Sequence, residues 1–184
     1  MQEATKKFAL EFVKKTIENF VRCGEVEKLP ENYPPELAER KGVFVTIYSK
    51  KEEKLRGCVG FPHPTHLLKA LRDAAIAATH DPRFPPLSPQ ELEDIVVEIS
   101  FLTPLQFVGE GNLSKFLDQI KPFEDGLLIE RFGASGLFLP QVWREIPEKE
   151  EFLSNLCLKA GLPPDSWLLE GTKLYKFQVE TVKG

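Results

Sequence analysis

The chain has 184 residues, 42% of them hydrophobic and 28% charged, with 24 Lys and Arg against 28 Asp and Glu for a formal net charge of −4. A chain of this length buries roughly 70% of its unfolded surface, so it needs no metal or disulfide staple to fold, and its ordinary globular composition excludes general disorder. The mildly acidic balance disfavours nucleic-acid binding, which draws on a basic surface.

Acidic and basic residues are mixed through Met1–Lys15, and no apolar run reaches the about 18 residues of a membrane span. Neither a secretory leader nor a membrane association is therefore expected. Cys23, Cys58 and Cys157 stand far apart with no C-x-x-C pair. An odd count without metal-ligand spacing reads as reduced thiols in a cytoplasmic protein, with no disulfide framework. His63, His66 and His80 lie near one another but have no cysteine nearby to complete a tetrahedral set. No metal and no cofactor are expected.

In chain order, the first expected element is a helix, because Phe8, Phe12, Val13, Ile17, Phe20 and Val21 recur at three- and four-residue steps and Gly24 stops it. A linker from Glu25 to Arg40 carries Pro30, Pro34 and Pro35 and is extended. The β-branched and aromatic run Gly42–Tyr48 predicts a strand, Ser49–Lys54 a turn, and Lys54–Gly60 the returning strand. Thr65 is placed to cap a helix with Leu67, Leu68, Leu71, Ala74, Ala75 and Ala78 on one face, which Asp81–Pro86 stops. Ser88-Pro-Gln-Glu91 carries a capping-box pattern and predicts a short helical turn before the strand Ile95–Leu102.

The second half repeats that order. Gly126–Arg131 and Gly136–Leu139 predict a hairpin across Gly133–Ser135. A helix bearing Phe152, Leu153, Leu156, Cys157 and Ala160 on one face closes at Gly161, and Lys173–Val179 is the last strand. The expected fold class is α+β: one domain over residues 1–184, with an N-terminal helix and a strand-strand-helix-strand unit duplicated at about 42–104 and 126–180. The hairpins make the sheet mainly antiparallel, closing toward a barrel that removes exposed edges.

Three segments carry candidate chemistry. In Leu55-Arg-Gly-Cys-Val-Gly60, Gly57 and Gly60 let a ligand or backbone come close. Arg56 shares the face of Cys58 by the two-residue period of a strand, and a guanidinium beside a thiol raises the thiolate fraction a nucleophile needs. The structural alternative is a small buried Cys58 with Arg56 in a salt bridge. In His80-Asp-Pro-Arg-Phe84, proline holds Asp81 and Arg83 with little freedom, so Arg83 can bind a carboxylate or phosphate bidentately. The alternative there is Asp81 accepting backbone N–H groups in a turn, with Arg83 paired to an acid. Glu98 has Val96 and Ser100 as neighbours on its own strand face and needs a partner if buried, whereas on an outer face it is an ordinary surface glutamate. Gln141, in Leu139-Pro-Gln-Val-Trp143, is placed to present its amide to a ligand.

The blocks Leu55-Arg-Gly-Cys-Val-Gly60, Asp81-Pro-Arg-Phe-Pro-Pro-Leu87, Leu139-Pro-Gln-Val142 and Leu156-Cys-Leu-Lys-Ala-Gly-Leu162 occur in this order and, together, resemble the AMMECR domain family in its stand-alone prokaryotic form. The resemblance covers nearly the whole chain. It implies a duplicated β-α-β-β-type unit but no particular reaction. It also implies a pathway shared with a Memo-type dioxygenase-like protein and a radical S-adenosylmethionine protein. By motif position the family's cleft residues fall on Arg56, Gly57, Cys58, Asp81, Arg83 and Gln141. Many longer members carry a histidine–glycine pair where this chain has Asp125-Gly126, so a role for that histidine does not transfer. The functional expectation is an enzyme or accessory enzyme acting on a small anionic substrate. Arg56 and Arg83 would hold the anion, Cys58 would attack, and Glu98 or Asp81 would move protons. The alternative is a non-catalytic module that docks a partner protein.

Overall fold

The computed structural model describes residues 1–52 and 54–184, so the predicted turn Ser49–Lys54 falls partly outside the described residues. The first helix, α1, runs Glu3–Cys23, and Gly24 ends it in the left-handed region at φ 71° with its N–H on Phe20 O at 2.9 Å. The linker contains one 3-10 turn, Pro35–Ala38, whose Leu37 is buried. Strand β1, Arg40–Ser49, is followed by β2, Leu55–His66, which is longer than predicted and passes directly into α2, Leu67–Ala78. Thr65 therefore lies within the strand, His66 takes the N-cap position, and α2 starts without a side-chain cap. A 3-10 turn at Pro89–Asp94 precedes β3, Ile95–Leu102.

Strand β4, Gln106–Glu110, was not expected from the pattern: it is short and contains Gly109. Strands β5, Gly126–Arg131, and β6, Ala134–Phe138, form the second hairpin. Phe132 (φ 47°) and Gly133 (φ 86°) form its two-residue loop, one position earlier than predicted, with both residues at the positive φ that a right-twisted hairpin requires. Helix α3 is Lys149–Lys159, β7 is Thr172–Phe177 and β8 is Val179–Lys183. The expected final strand, Lys173–Val179, is β7, and β8 is a further strand beyond Gln178.

The chain forms two compact units, residues 1–102 with 180–184 and residues 103–179. Each holds one antiparallel four-stranded sheet, in the orders β2-β1-β3-β8 and β6-β5-β7-β4. In both orders a hairpin comes first, then the strand that follows the helix. The outermost strand of each sheet is the one that follows the third strand of the other sheet in the chain. Both sheets are open, with edge strands at either end, and the expected barrel does not close.

In the first unit Val43, Val45 and Ile47 of β1 and Val97, Ile99 and Phe101 of β3 face one way and pack with α1 and α2. Each such fully buried side chain contributes about 1.5–3 kcal/mol. In the second unit Leu127 and Ile129 of β5 pack with Phe152, Leu153 and Leu156 of α3. Trp143 stacks on Phe152 at 3.6 Å and donates its indole N–H to Asp125 O at 2.7 Å. Among the described residues no helix is long and apolar enough to cross a membrane.

Candidate functional site

The residues of the cysteine motif sit on β2, an edge strand of the first sheet. Gly57 pairs with Ile47 and Cys58 with Thr46, but the register slips between Ile47 and Tyr48, so that Tyr48 faces Leu55 and Arg56 is the extra residue of a bulge. Gly57 turns toward α2, where a Cβ would collide with the Ala78 carbonyl oxygen. This glycine therefore brings β2 against the C-terminal end of the helix.

The chain leaving α2 folds back over that edge. Pro82 fixes one φ, Phe84 N–H closes a turn on Asp81 O at 2.9 Å, and Leu87 N–H returns to Thr79 O at 2.9 Å. Asp81, 3% exposed, is the hub. Its Oδ2 accepts Cys58 N–H at 2.9 Å and its Oδ1 accepts Arg83 N–H at 3.1 Å. The Arg83 guanidinium grips both oxygens, Nε on Oδ1 at 3.0 Å and Nη2 on Oδ2 at 2.6 Å, while Nη2 also lies 3.4 Å from Cys58 O. Asp81 and Arg83 thus satisfy both backbone groups of Cys58, as a neighbouring strand would. The Arg83 guanidinium, with help from the two backbone N–H groups, holds the Asp81 carboxyl down to about 2 against the opposing effect of burial. Asp81 in turn raises Arg83 above its usual range.

Arg56 was expected beside the thiol. Its guanidinium engages Glu91 instead, Nε on Oε1 at 2.7 Å and Nη2 on Oε2 at 3.2 Å, with Nη2 also 3.3 Å from Pro86 O. Glu91 Oε2 also accepts Ser88 N–H at 2.8 Å, the backward half of the predicted capping box, so the same carboxylate caps a turn and binds an arginine. Arg56, followed by the Ser88 contacts, holds Glu91 at about 2.

Thr46 of β1 stands opposite Cys58 on one side and Glu98 on the other. Facing residues of paired strands point to the same side, so Cys58, Thr46 and Glu98 form one row on the sheet face away from the helices. Thr46 Oγ1 donates to Cys58 Sγ at 3.3 Å. Glu98 is half-buried, and Cys58 is half-buried as well. Gln141 lies in the second unit, half-buried in the 3-10 turn Pro140–Arg144. Among the described residues no three His, Cys, Asp or Glu side chains converge as a metal site would require.

The structure brings Cys58, Asp81 and Arg83 together in the arrangement given above as the alternative, with Asp81 accepting backbone N–H groups and Arg83 paired to an acid. Sequence reasoning missed Thr46 and the second role of Glu91. The strand period already put Thr46 opposite in facing to Val45 and Ile47, but its pairing with Cys58 depends on the hairpin register, which the loop between β1 and β2 leaves undetermined in sequence.

A family model described as AMMECR1 matches residues 10–182. A protein of Methanocaldococcus jannaschii is 44% identical over 183 residues, covering 98% of this chain and 89% of its own. A protein of Thermococcus onnurineus is 48% identical, covering 94% and 87%. The crystal structure of the uncharacterized protein PH0010 from Pyrococcus horikoshii superposes with a TM-score of 0.91 at 42% identity, covering 100% of this chain and 93% of that one. The four sequence blocks, the two-sheet fold and a family match over nearly the full length agree, and the chain belongs to the AMMECR1 family.

Proposed function

We propose that this protein is an enzyme or accessory enzyme in which Cys58 is the nucleophile toward a small anionic substrate, in a cytoplasmic pathway shared with Memo-type and radical S-adenosylmethionine proteins. The observation that carries this reading is the assembly around Cys58: its backbone is fixed by Asp81 and Arg83 and its sulfur accepts a hydroxyl proton from Thr46. A thiol held in one place beside donors is suited to attack.

Arg83 anchors the anion. Its side chain is 52% exposed and grips Asp81 through Nε and Nη2, so Nη1 is the nitrogen through which it meets a carboxylate or phosphate. Arg56 lends its charge to the same end of β2 while tied to Glu91. Glu98 stands two strand spacings from Cys58, roughly 10 Å, with Thr46 between them. Across that distance the thiol proton passes to Glu98 by way of water, and Glu98 returns it to the leaving group. Gly57 keeps the strand close to α2 and Asp81 orients Arg83.

A second reading, a non-catalytic module for a partner protein, is favoured by one specific feature. Each arginine expected to meet an anion already has a carboxylate of this chain, Arg56 with Glu91 and Arg83 with Asp81.

Alkylation rates of the three cysteines against pH, read site by site by peptide mass spectrometry, separate the two. We expect Cys58 to label in the folded protein with a midpoint below the ~8.5 of an ordinary thiol. Cys157 is buried, and burial pushes its thiol up, so it should stay protected. Protection of Cys58 until the protein unfolds would remove the nucleophile and leave the binding module.

A further inference from the structure

We infer that Thr46 is a positioning residue for the Cys58 sulfur, holding it by a hydroxyl hydrogen bond so that the charged form is favoured and aimed along the sheet face. This rests on the reading of Cys58 as a nucleophile and adds to it a residue that no sequence motif contains.

The two sheets of the chain supply an internal comparison. In the first, Ile47 faces Gly57 and Val97; in the second, Ile129 faces Gly136 and Leu174. Both glycines press on the helix that follows their hairpin: a Cβ on Gly136 would lie 2.9 Å from Leu156 O, and one on Gly57 would meet Ala78 O. With those pairs superimposed, the row Cys58–Thr46–Glu98 corresponds to Leu137–Leu128–Tyr175. The same scaffold thus carries a Leu–Leu pair in one unit and a thiol–hydroxyl pair in the other. A sheet that needed only packing at these positions has an apolar solution available, so the polar pair is not demanded by the fold.

A second observation comes from the same face. Ser100 lies two residues beyond Glu98 on β3 and shares its side of the strand. Its hydroxyl is buried and has no hydrogen-bond partner among the described residues. Buried hydroxyls are almost always satisfied, so Ser100 is a further polar position on this face that apolar packing alone does not require.

The hydroxyl acts on the sulfur through hydrogen bonding. A donor to an ionised group stabilises that form more than the neutral one, and Thr46 Oγ1 is already the donor at 3.3 Å. Arg83 interacts electrostatically with Cys58, and Asp81, Arg83 and Arg56 are each fixed by partners other than Thr46. Asp81 is bound by Arg83 and by the Cys58 N–H, Arg83 grips Asp81, Arg56 is paired with Glu91, and Glu98 lies beyond Thr46. Removing the Thr46 hydroxyl changes none of these charges, so a change in thiol titration reports the hydroxyl itself.

The test is the pH profile of Cys58 alkylation in the full chain, comparing wild type with Thr46→Val, Thr46→Ala and Thr46→Ser. Valine keeps the shape and removes the hydroxyl; alanine covers the case in which valine does not pack. We expect Thr46→Val and Thr46→Ala to move the midpoint up by about one pH unit, close to a tenfold loss of thiolate at fixed lower pH, and Thr46→Ser to restore it. An unshifted midpoint in folded Thr46→Val or Thr46→Ala, with wild-type Cys58 labelling readily, overturns the role of Thr46 and leaves the nucleophile intact. A wild-type Cys58 that resists labelling until unfolding overturns both.

Discussion

Gly57→Ala is expected to lower stability by about 3 kcal/mol or more, as overpacking against backbone does when no side chain can yield. A Cβ at this position meets the Ala78 carbonyl oxygen inside contact distance, and the Ala78 carbonyl carbon lies 3.2 Å and Asp81 Cβ 3.6 Å from it. Relief requires β2 and α2 to separate, and that displaces the turn carrying Asp81 from the Cys58 N–H. Urea unfolding checks the stability, and the Cys58 labelling rate checks the coupling. A loss below about 1 kcal/mol with unchanged labelling would show that the strand–helix approach is not what this glycine secures. Gly136→Ala is the milder control, since its nearest atoms lie at 2.9–3.0 Å.

Asp81→Asn is expected to cost about 2 kcal/mol near neutral pH and to flatten the acid limb of the stability profile. The carboxyl sits at about 2 in the folded protein, against about 3.9 for an ordinary aspartate. Because the folded value is the lower one, the stabilisation is fully present above about pH 4 and disappears as pH falls toward 2. The half-exposed Arg83 tempers the size, because solvent screens its side of the pair. Glu91, also held at about 2, contributes in the same sense but less, since its side chain is 38% exposed. Melting temperature followed from about pH 5 to 2 reads both. A slope in Asp81→Asn equal to that of wild type would mean that the Asp81–Arg83 grip does not form in solution.

Local pattern was enough for most elements. The helical stripe ending at Gly24 became α1, and the β-branched runs became β1, β3 and β5 near their expected bounds. These elements bury a face whose period is written in adjacent residues. Strands β4 and β8 were invisible because each is five residues long and, unlike the equally short β6 of the second hairpin, has no partner beside it in the chain, β4 pairing instead with β7 and β8 with β3. A strand that short has no period to read and forms because an edge is offered to it.

The candidate site divides along the same line. Arg56, Gly57, Cys58, Asp81 and Arg83 stood out in the sequence because chemistry-bearing residues beside glycine or proline are conspicuous in one dimension, and Glu98 because it is an acid within an apolar strand. Their partners did not. Arg56 met Glu91 across 35 positions, Asp81 met the Cys58 N–H across 23, and Thr46 met Cys58 across 12. Residue types and their spacing determine which face a side chain can take and which ions it could pair with. Which carboxylate an arginine finally holds depends on strand register and on where the chain turns back after α2, and those are settled by burial of the apolar faces over the whole unit.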